Sequence, residues 1–261
     1  MAIPMPPPPG SLLFDADGVR AIERAAEREQ GLSPAELMQR AGRAGLNVLR
    51  QRWPEARRLG VICGPGNNGG DGAVLAQLAL RLGYEVRVWL LGEVKSSLAR
   101  QVVEDAQAAG VEVRSWPGGA ALSAPELGDC DVLVDALYGT GLNRPPEAAP
   151  AEAIRSINAA PAGVLSLDIP SGIDSDTGAA PGEAVRADHT VTFIARKLGL
   201  GTGAAPDFTG AVHLDRLGVD DALLRSVAPA GLLSGRDALI DAGLTPPPRA
   251  RTAHKGDFGR V

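Results

Sequence analysis

Hydrophobic positions change their spacing repeatedly along this chain, and each change marks an element. Over 15–30, Val19, Ile22 and Ala26 recur on one side of a predicted helix, and Gly31 supplies its stop. Ser33-Pro34-Ala35-Glu36 then sets an N-cap serine, a first-turn proline and a glutamate in capping-box order, which starts a second helix running to about Trp53. The apolar run 59–63, short and bounded by turn residues, reads as a buried strand of a parallel sheet. Helical spacing returns with Val74, Leu75, Leu78 and Leu82. From there the pattern alternates: helix 70–82, strand 84–91, helix 96–109, strand 111–115. After a Gly/Pro-rich stretch come strand 131–136, helix 147–159 and strands 163–168, 189–194 and 211–214. Such alternation predicts an α/β domain with right-handed crossovers and a sheet covered on both faces. The two leading helices precede the first strand and are expected to cover the sheet or a partner subunit.

A parallel sheet binds ligands at the carboxyl ends of its strands, and three polar clusters fall there. They are GPGNNGGDG at 64–72, DALYGTGLNRP at 135–145 and DIPSG at 168–172. The first joins a strand to a helix N-terminus, which suits an anion. Its glycines are expected to take positive φ and let the backbone approach a ligand. Gly64, Gly66 and Gly69 also satisfy G-x-G-x-x-G, with Glu93 beyond the next strand as a ribose-binding acid, so a nicotinamide-dependent dehydrogenase is one reading. The Walker pattern fails, because Gly70 stands where its lysine belongs.

Composition narrows the partners. The 261 residues are 44% hydrophobic, enough to fill one large α/β core, and a formal net charge of -5 with a sequence pI near 5.3 leaves no basic footprint for nucleic acid. Aromatics at 3% offer little for base stacking. The N-terminus lacks the pattern of a signal peptide, and nowhere do about 18 apolar residues run uninterrupted, so no membrane association is expected. Cys63 and Cys130 sit in or beside strand-like runs, as buried free thiols of a cytoplasmic protein do.

Asn68, Asp135 and Ser171 offer oxygen donors, and no histidine or thiol lies among the clusters. Hard oxygen ligands suit an alkali or alkaline-earth cation rather than zinc or copper. Asp168, leaving a buried strand among glycine loops, is the candidate for acid/base work, since desolvation can tune such a carboxyl. Lys197 follows a strand and reads as a solvated loop lysine, with contact to a phosphate or substrate as the alternative, while His189, His213 and His254 read as ordinary strand or surface residues. Ser171 has no sequence-local histidine to activate it.

Taken in order, GPGNNGGDG, DALYGTGLNRP, LDIPSGIDSDTG and TFIARKLGL resemble the NAD(P)H-hydrate epimerases, the YjeF N-terminal domain family, from residue 15 to about 220. The resemblance implies a Rossmann-like three-layer α/β/α sandwich with a mostly parallel sheet, a homodimer, and action on NADHX and NADPHX. In those damaged cofactors water has added at C6 of the nicotinamide ring, and the enzyme interconverts the R and S epimers. It further implies ligand-binding segments at Asn67, Asn68, Gly69, Gly70 and Asp71 and at Gly139, Thr140, Gly141, Leu142, Asn143, Arg144 and Pro145, with Asp168 beside the reacting ring. One potassium ion per subunit is implied at Asn68, Asp135 and Ser171. The ending HKGDFGRV resembles the opening of a fused dehydratase domain. The expected organisation is a flexible N-terminus at 1–10, the epimerase domain at 11–225, a linker region at 226–253 and the start of a dehydratase domain at 254–261. A catalytically silent nucleotide-binding module is the remaining alternative.

Overall fold

Apolar runs of four to six residues become the seven strands of one parallel sheet. A computed structural model describes residues 9–116, 127–142, 144–146 and 148–234. In chain order the strands are β2 Arg58–Cys63, β3 Glu85–Leu90, β4 Glu112–Ser115, β5 Val132–Ala136, β6 Gly163–Leu167, β7 His189–Phe193 and β9 Ala211–Asp215. They lie in the order β4-β3-β2-β5-β6-β7-β9, every pair parallel. The chain therefore runs outward from β2 to one edge, returns to β5, and runs outward to the other edge. The order reverses between β2 and β5, and a crevice opens there at the strand carboxyl ends. Every residue of β5 is buried, as are all but the first of β2, which explains their unbroken apolar character.

Alternate residues of each strand feed two cores. Val61, Val134, Leu165 and Val191 pack under α2 (Pro34–Arg52) and α3 (Asn67–Arg81), and α4 (Ser97–Ala108) packs beside α3 on the same side. Ile62, Trp89 and Leu133 face the other way, against Ile154 and Ile157 of α5 (Ala149–Ala159). Each such buried aliphatic contributes roughly 1.5–3 kcal/mol. The result is the expected three-layer, Rossmann-like α/β arrangement, with a short α6 (Asp221–Ser226) near the end of the described chain.

The leading helices start and stop as their sequences dictate. Asp15 caps α1 (Ala16–Gln30) by accepting the Gly18 N–H, and Gly31 closes it with φ 68°. Ser33 accepts the Glu36 N–H at α2, but the reciprocal half of the box is missing, because the Glu36 carboxylate pairs with Arg40 instead. Of the two readings for these helices, α2 takes the first and lies on the sheet.

Two departures matter for function. Helix α3 begins at Asn67, three residues earlier than the spacing predicts, so the asparagines lie in its first turn rather than in a loop. A second small sheet is absent from the sequence reading: β1 (Leu12–Phe14) runs between β8 (Arg196–Lys197) and β10 (Gly231–Leu232). Strands of two or three residues show no period. Because β10 pairs with β1, the folded domain continues past 225 into the region expected as linker. Residues 1–8 and 235–261, with the expected dehydratase start at 254–261, lie outside the described residues. No described helix is long and apolar enough to cross a membrane.

Candidate active site

The three clusters meet at the switch point. Gly64 leaves β2 with its N–H on the Ala136 carbonyl (2.9 Å), so the loops after β2 and β5 run side by side. A Cβ at Gly64 would collide with the Leu137 carbonyl oxygen, and one at Gly69 with that of Gly64. No glycine in 64–72 has positive φ. The expectation of left-handed glycines is thus corrected: these positions need glycine because backbone packs on backbone. Gly66, the N-cap of α3, offers no side chain to the first-turn N–H groups, and it and Asn67 line a cleft of about 610 Å³.

Below this loop lies a buried oxygen cluster. Asp135 is fully buried; its Oδ1 accepts from Ser171 Oγ (2.6 Å) and the Leu137 N–H (3.2 Å), its Oδ2 from Ser166 Oγ (2.8 Å) and the Ser171 N–H (2.8 Å). Burial raises its carboxyl above the ordinary aspartate range, and those hydrogen bonds, led by the Ser171 hydroxyl, offset only part of that. Among the described residues no lysine or arginine pairs with it. Asn68 is 8% exposed, and both its amide nitrogen and its amide oxygen lack a hydrogen-bond partner. A buried amide without partners costs about 1–3 kcal/mol unless a ligand meets it.

Asp168 stands above the cluster in a strained turn. Its φ is 69°, and the Ile169 N–H reaches back to the Leu167 carbonyl (2.9 Å), a three-residue γ-turn of the rare hand. Ile194 repeats it after β7 with φ 67° and the Ala195 N–H on the Phe193 carbonyl (2.7 Å). That turn redirects the chain into β8 and brings Lys197 under the cleft. Contrary to expectation, Lys197 is not a solvated loop lysine: it is 1% exposed, and its Nζ donates to Asp168 Oδ1, Thr192 Oγ1 (3.0 Å) and the Phe193 carbonyl (2.9 Å). Asp168 Oδ2 accepts the Thr140 N–H (3.2 Å), and a Cβ on Gly139 would sit 2.7 Å from that oxygen. Facing it, Asp71 opens partly to the cleft and accepts no hydrogen bond among the described residues. Loss of water contact, then Asp168 and Glu23, push its carboxyl well up, with Lys197 opposing.

Residues 34–199 match the family described as YjeF-related protein N-terminus. The NAD(P)H-hydrate epimerase of Rhodopirellula baltica is 37% identical over 210 residues, covering 79% of this chain and 84% of that protein. The chain belongs to the YjeF N-terminal, NAD(P)H-hydrate epimerase family. Among other members, the bifunctional NAD(P)H-hydrate repair enzyme Nnr of Escherichia coli is 41% identical over 94% of this chain but 46% of its own length, so the chain spans about half the length of the bifunctional relatives it matches. The crystal structure of yeast YNL200c shares the fold, with a TM-score of 0.64 over 72% of this chain and 82% of that one, at 23% identity.

The residues expected to bind ligand in this family divide by place. Asn67, Asn68, Asp71, Gly139, Thr140, Gly141 and Asp168 line the cleft. Gly69 and Gly70 are buried behind it in α3, Leu142, Arg144 and Pro145 fall beyond its wall, and Asn143 lies outside the described residues. Glu93 is exposed and away from the cleft, which leaves the dehydrogenase reading without its ribose acid. Two groups escape the sequence reading: Lys197, and Glu23 on α1. The periodicity of α1 gives its apolar side, while its Arg20, Glu23 and Arg24 form one cleft wall. Their placement follows from the unforeseen β1–β8 pairing that anchors the start of α1.

Proposed function

We propose that this chain is an NAD(P)H-hydrate epimerase acting on NADHX and NADPHX, with Asp168 as its acid/base group. The observation that carries this is the environment of Asp168: a carboxylate in a strained turn, fixed by Lys197 and the Thr140 N–H, opening on a cleft at the switch point of a family member. The hydrated carbon C6 bears both a hydroxyl and the ring nitrogen. Its configuration is lost when either bond breaks and re-forms, by departure of water or by opening to an aldehyde. Both routes require proton transfer at a positioned group and no change of oxidation state. The uncapped first turn of α3 is suited to the dinucleotide's phosphates.

Potassium fits the buried oxygens. Asn68 has an orphaned amide, Asp135 a buried charge without a cationic partner, and Ser171 a hydroxyl on that charge; a hard, singly charged ion answers all three. When bound it supplies positive charge beside the cleft. Asn68, Asp135 and Ser171 would hold it, and Gly69, Gly70, Leu142, Asn143, Arg144 and Pro145 would shape the segments around the nucleotide. The family resemblance supports a cytoplasmic homodimer. The greater length of the bifunctional relatives supports a dehydratase domain downstream in the full-length protein.

The test is to incubate purified (R)-NADHX with the chain and separate the epimers by chromatography while following absorbance for NADH. The expected result is approach to an R/S equilibrium with no NADH formed or consumed. Redox change with intact NADH would return the dehydrogenase reading, and an unchanged epimer ratio would leave a silent binding module.

A further inference from the structure

Lys197 has no donor left for a ligand. Its ammonium is spent on Asp168, Thr192 and the Phe193 carbonyl, within a side chain that is 1% exposed. Among the cleft's carboxylates it therefore hydrogen-bonds Asp168 and fixes that group's direction. Asp71 stands opposite on α3 and lines the same cleft, yet no hydrogen bond among the described residues reaches its carboxylate. Among the described residues, the charged and titratable groups that line the cleft with Asp71 or act on it are Arg20, Glu23, Arg24 and Glu27 of α1, Tyr138 after β5, Asp168 after β6, Lys197 of β8 and Cys63 at the end of β2. From α2 the cleft receives only apolar side chains, including Leu37 and Met38. The one buried cation among the described residues is already committed to Asp168.

We propose that Asp71 and Asp168 form an unequal carboxyl pair, in which Asp168, positioned by Lys197, accepts a proton while Asp71 donates one to the atom leaving C6. This rests on the epimerase reading and completes it, because an acid as well as a base is required. In the elimination route the C6–O bond breaks with its electron pair on oxygen, the Asp71 proton makes that oxygen water, and N1 carries the positive charge as an iminium. Water then adds to the opposite face of C6, and its proton passes to Asp168. One proton has moved from Asp71 to Asp168 and returns through solvent before the next turnover. In the ring-opening route the N1–C6 pair goes to N1, which takes the Asp71 proton, while the hydroxyl proton goes to Asp168; closure reverses both. The groups have opposite environments, one ion-paired and one not, as an acid and a base of the same residue type must. Burial and its carboxylate neighbours hold Asp71 protonated above the ordinary aspartate range, in agreement.

The experiment is the pH–rate profile of (R)-to-(S)-NADHX conversion for the full chain, Asp71→Asn, Asp71→Glu, Lys197→Met and Lys197→Arg, with a carbon-13 carboxyl titration of the wild type. The wild-type rate should fall on the alkaline side as Asp71 loses its proton. Asp71→Asn should lower kcat about 100-fold or more with KM within about threefold, on the usual scale of acid/base catalysis, and should abolish the alkaline fall. Asp71→Glu should restore part of the rate. Lys197→Met should lower kcat with KM little changed, since Asp168 loses the group that fixes its direction, and Lys197→Arg should restore part of the rate. In the titration Asp71 should lose its proton above the ordinary aspartate range, a readout independent of any variant's folding. An active wild type with Asp71 titrating within or below that range, or an Asp71→Asn variant with the wild-type rate and profile, overturns the pair and leaves the epimerase reading standing. A wild type that leaves the epimers unchanged removes the function and the pair with it.

Discussion

The two ends of the same sheet treat their polar residues in opposite ways. At the amino ends, Asp131 accepts the Arg57 N–H (2.8 Å), the Arg58 N–H (2.9 Å) and the Arg58 guanidinium (2.7 Å), and its carboxyl is held down at about 2, chiefly by that guanidinium. His189 and His213 on neighbouring strands share a hydrogen bond at 3.1 Å, and Trp53 packs edge-on against His189. These groups are paired, and their backbones are unstrained. At the carboxyl ends, among the described residues, Asn68 has a buried amide with no partner, Asp71 has a carboxylate with none, and Asp168 and Ile194 occupy left-handed turns costing about 1–3 kcal/mol each. Strain and unmet hydrogen-bonding capacity that converge on one cleft mark where a ligand belongs. The amino end completes the fold, and the carboxyl end carries the groups proposed to meet substrate and potassium.

The largest effect expected from breaking this contrast is at Asp168. Asp168→Asn should cost about 10²–10⁴ in kcat for epimerisation, the usual contribution of a positioned acid or base, as measured by initial rates. Next comes Asp135→Ala, which strands four buried donors and should destabilise the fold by roughly 3 kcal/mol or more in urea titration. In the proposed potassium site its oxygens serve the fold and the ion together, so activity and potassium response should fall as well. Asn68→Leu should act in the opposite sense on stability. Replacing an orphaned amide with an apolar side chain of similar volume should stabilise the chain by about 1 kcal/mol in potassium-free buffer, while abolishing any rise in Tm on adding potassium. A loss of stability in that buffer would mean Asn68 is satisfied within the protein.

The smallest effect is at the amino end. Asp131→Asn should cost about 1 kcal/mol, because solvent screens a pair so near the surface, and should leave the epimerisation rate within twofold. The sign of its pH dependence follows from a depressed folded-state carboxyl. Its contribution is present above the ordinary aspartate range near about 4 and is lost as pH falls through about 2. Urea midpoints of wild type and variant should converge across that window.

Much of this contrast is legible in the letters and some is not. The strands show as short apolar runs bounded by turn residues, and the clusters following β2, β5 and β6 mark the ligand edge before topology is known. The oxygen chemistry of Asn68, Asp135 and Ser171 can also be read, because residue type alone excludes soft metals. Lys197 cannot. It meets Asp168 from 29 positions along the chain, through a two-residue strand with no period and a left-handed isoleucine that no propensity favours. The charged face of α1 is equally silent, since a helix normally turns such residues to solvent, and only the pairing of β1 with β8 shows that the space before it is a cleft. The asparagines read as loop because glycines on both sides of them mask the first turn of α3.

The central claim is that chemistry resides at the carboxyl edge, with Asp168. Its most direct test is the initial rate of (S)-NADHX formation from pure (R)-NADHX, measured side by side for wild type, Asp168→Asn and Asp131→Asn in potassium buffer. The account predicts a wild-type rate well above the protein-free control, a loss of about 100-fold or more in Asp168→Asn, and a rate within twofold of wild type in Asp131→Asn. An Asp168→Asn variant that converts the epimer at the wild-type rate would contradict it.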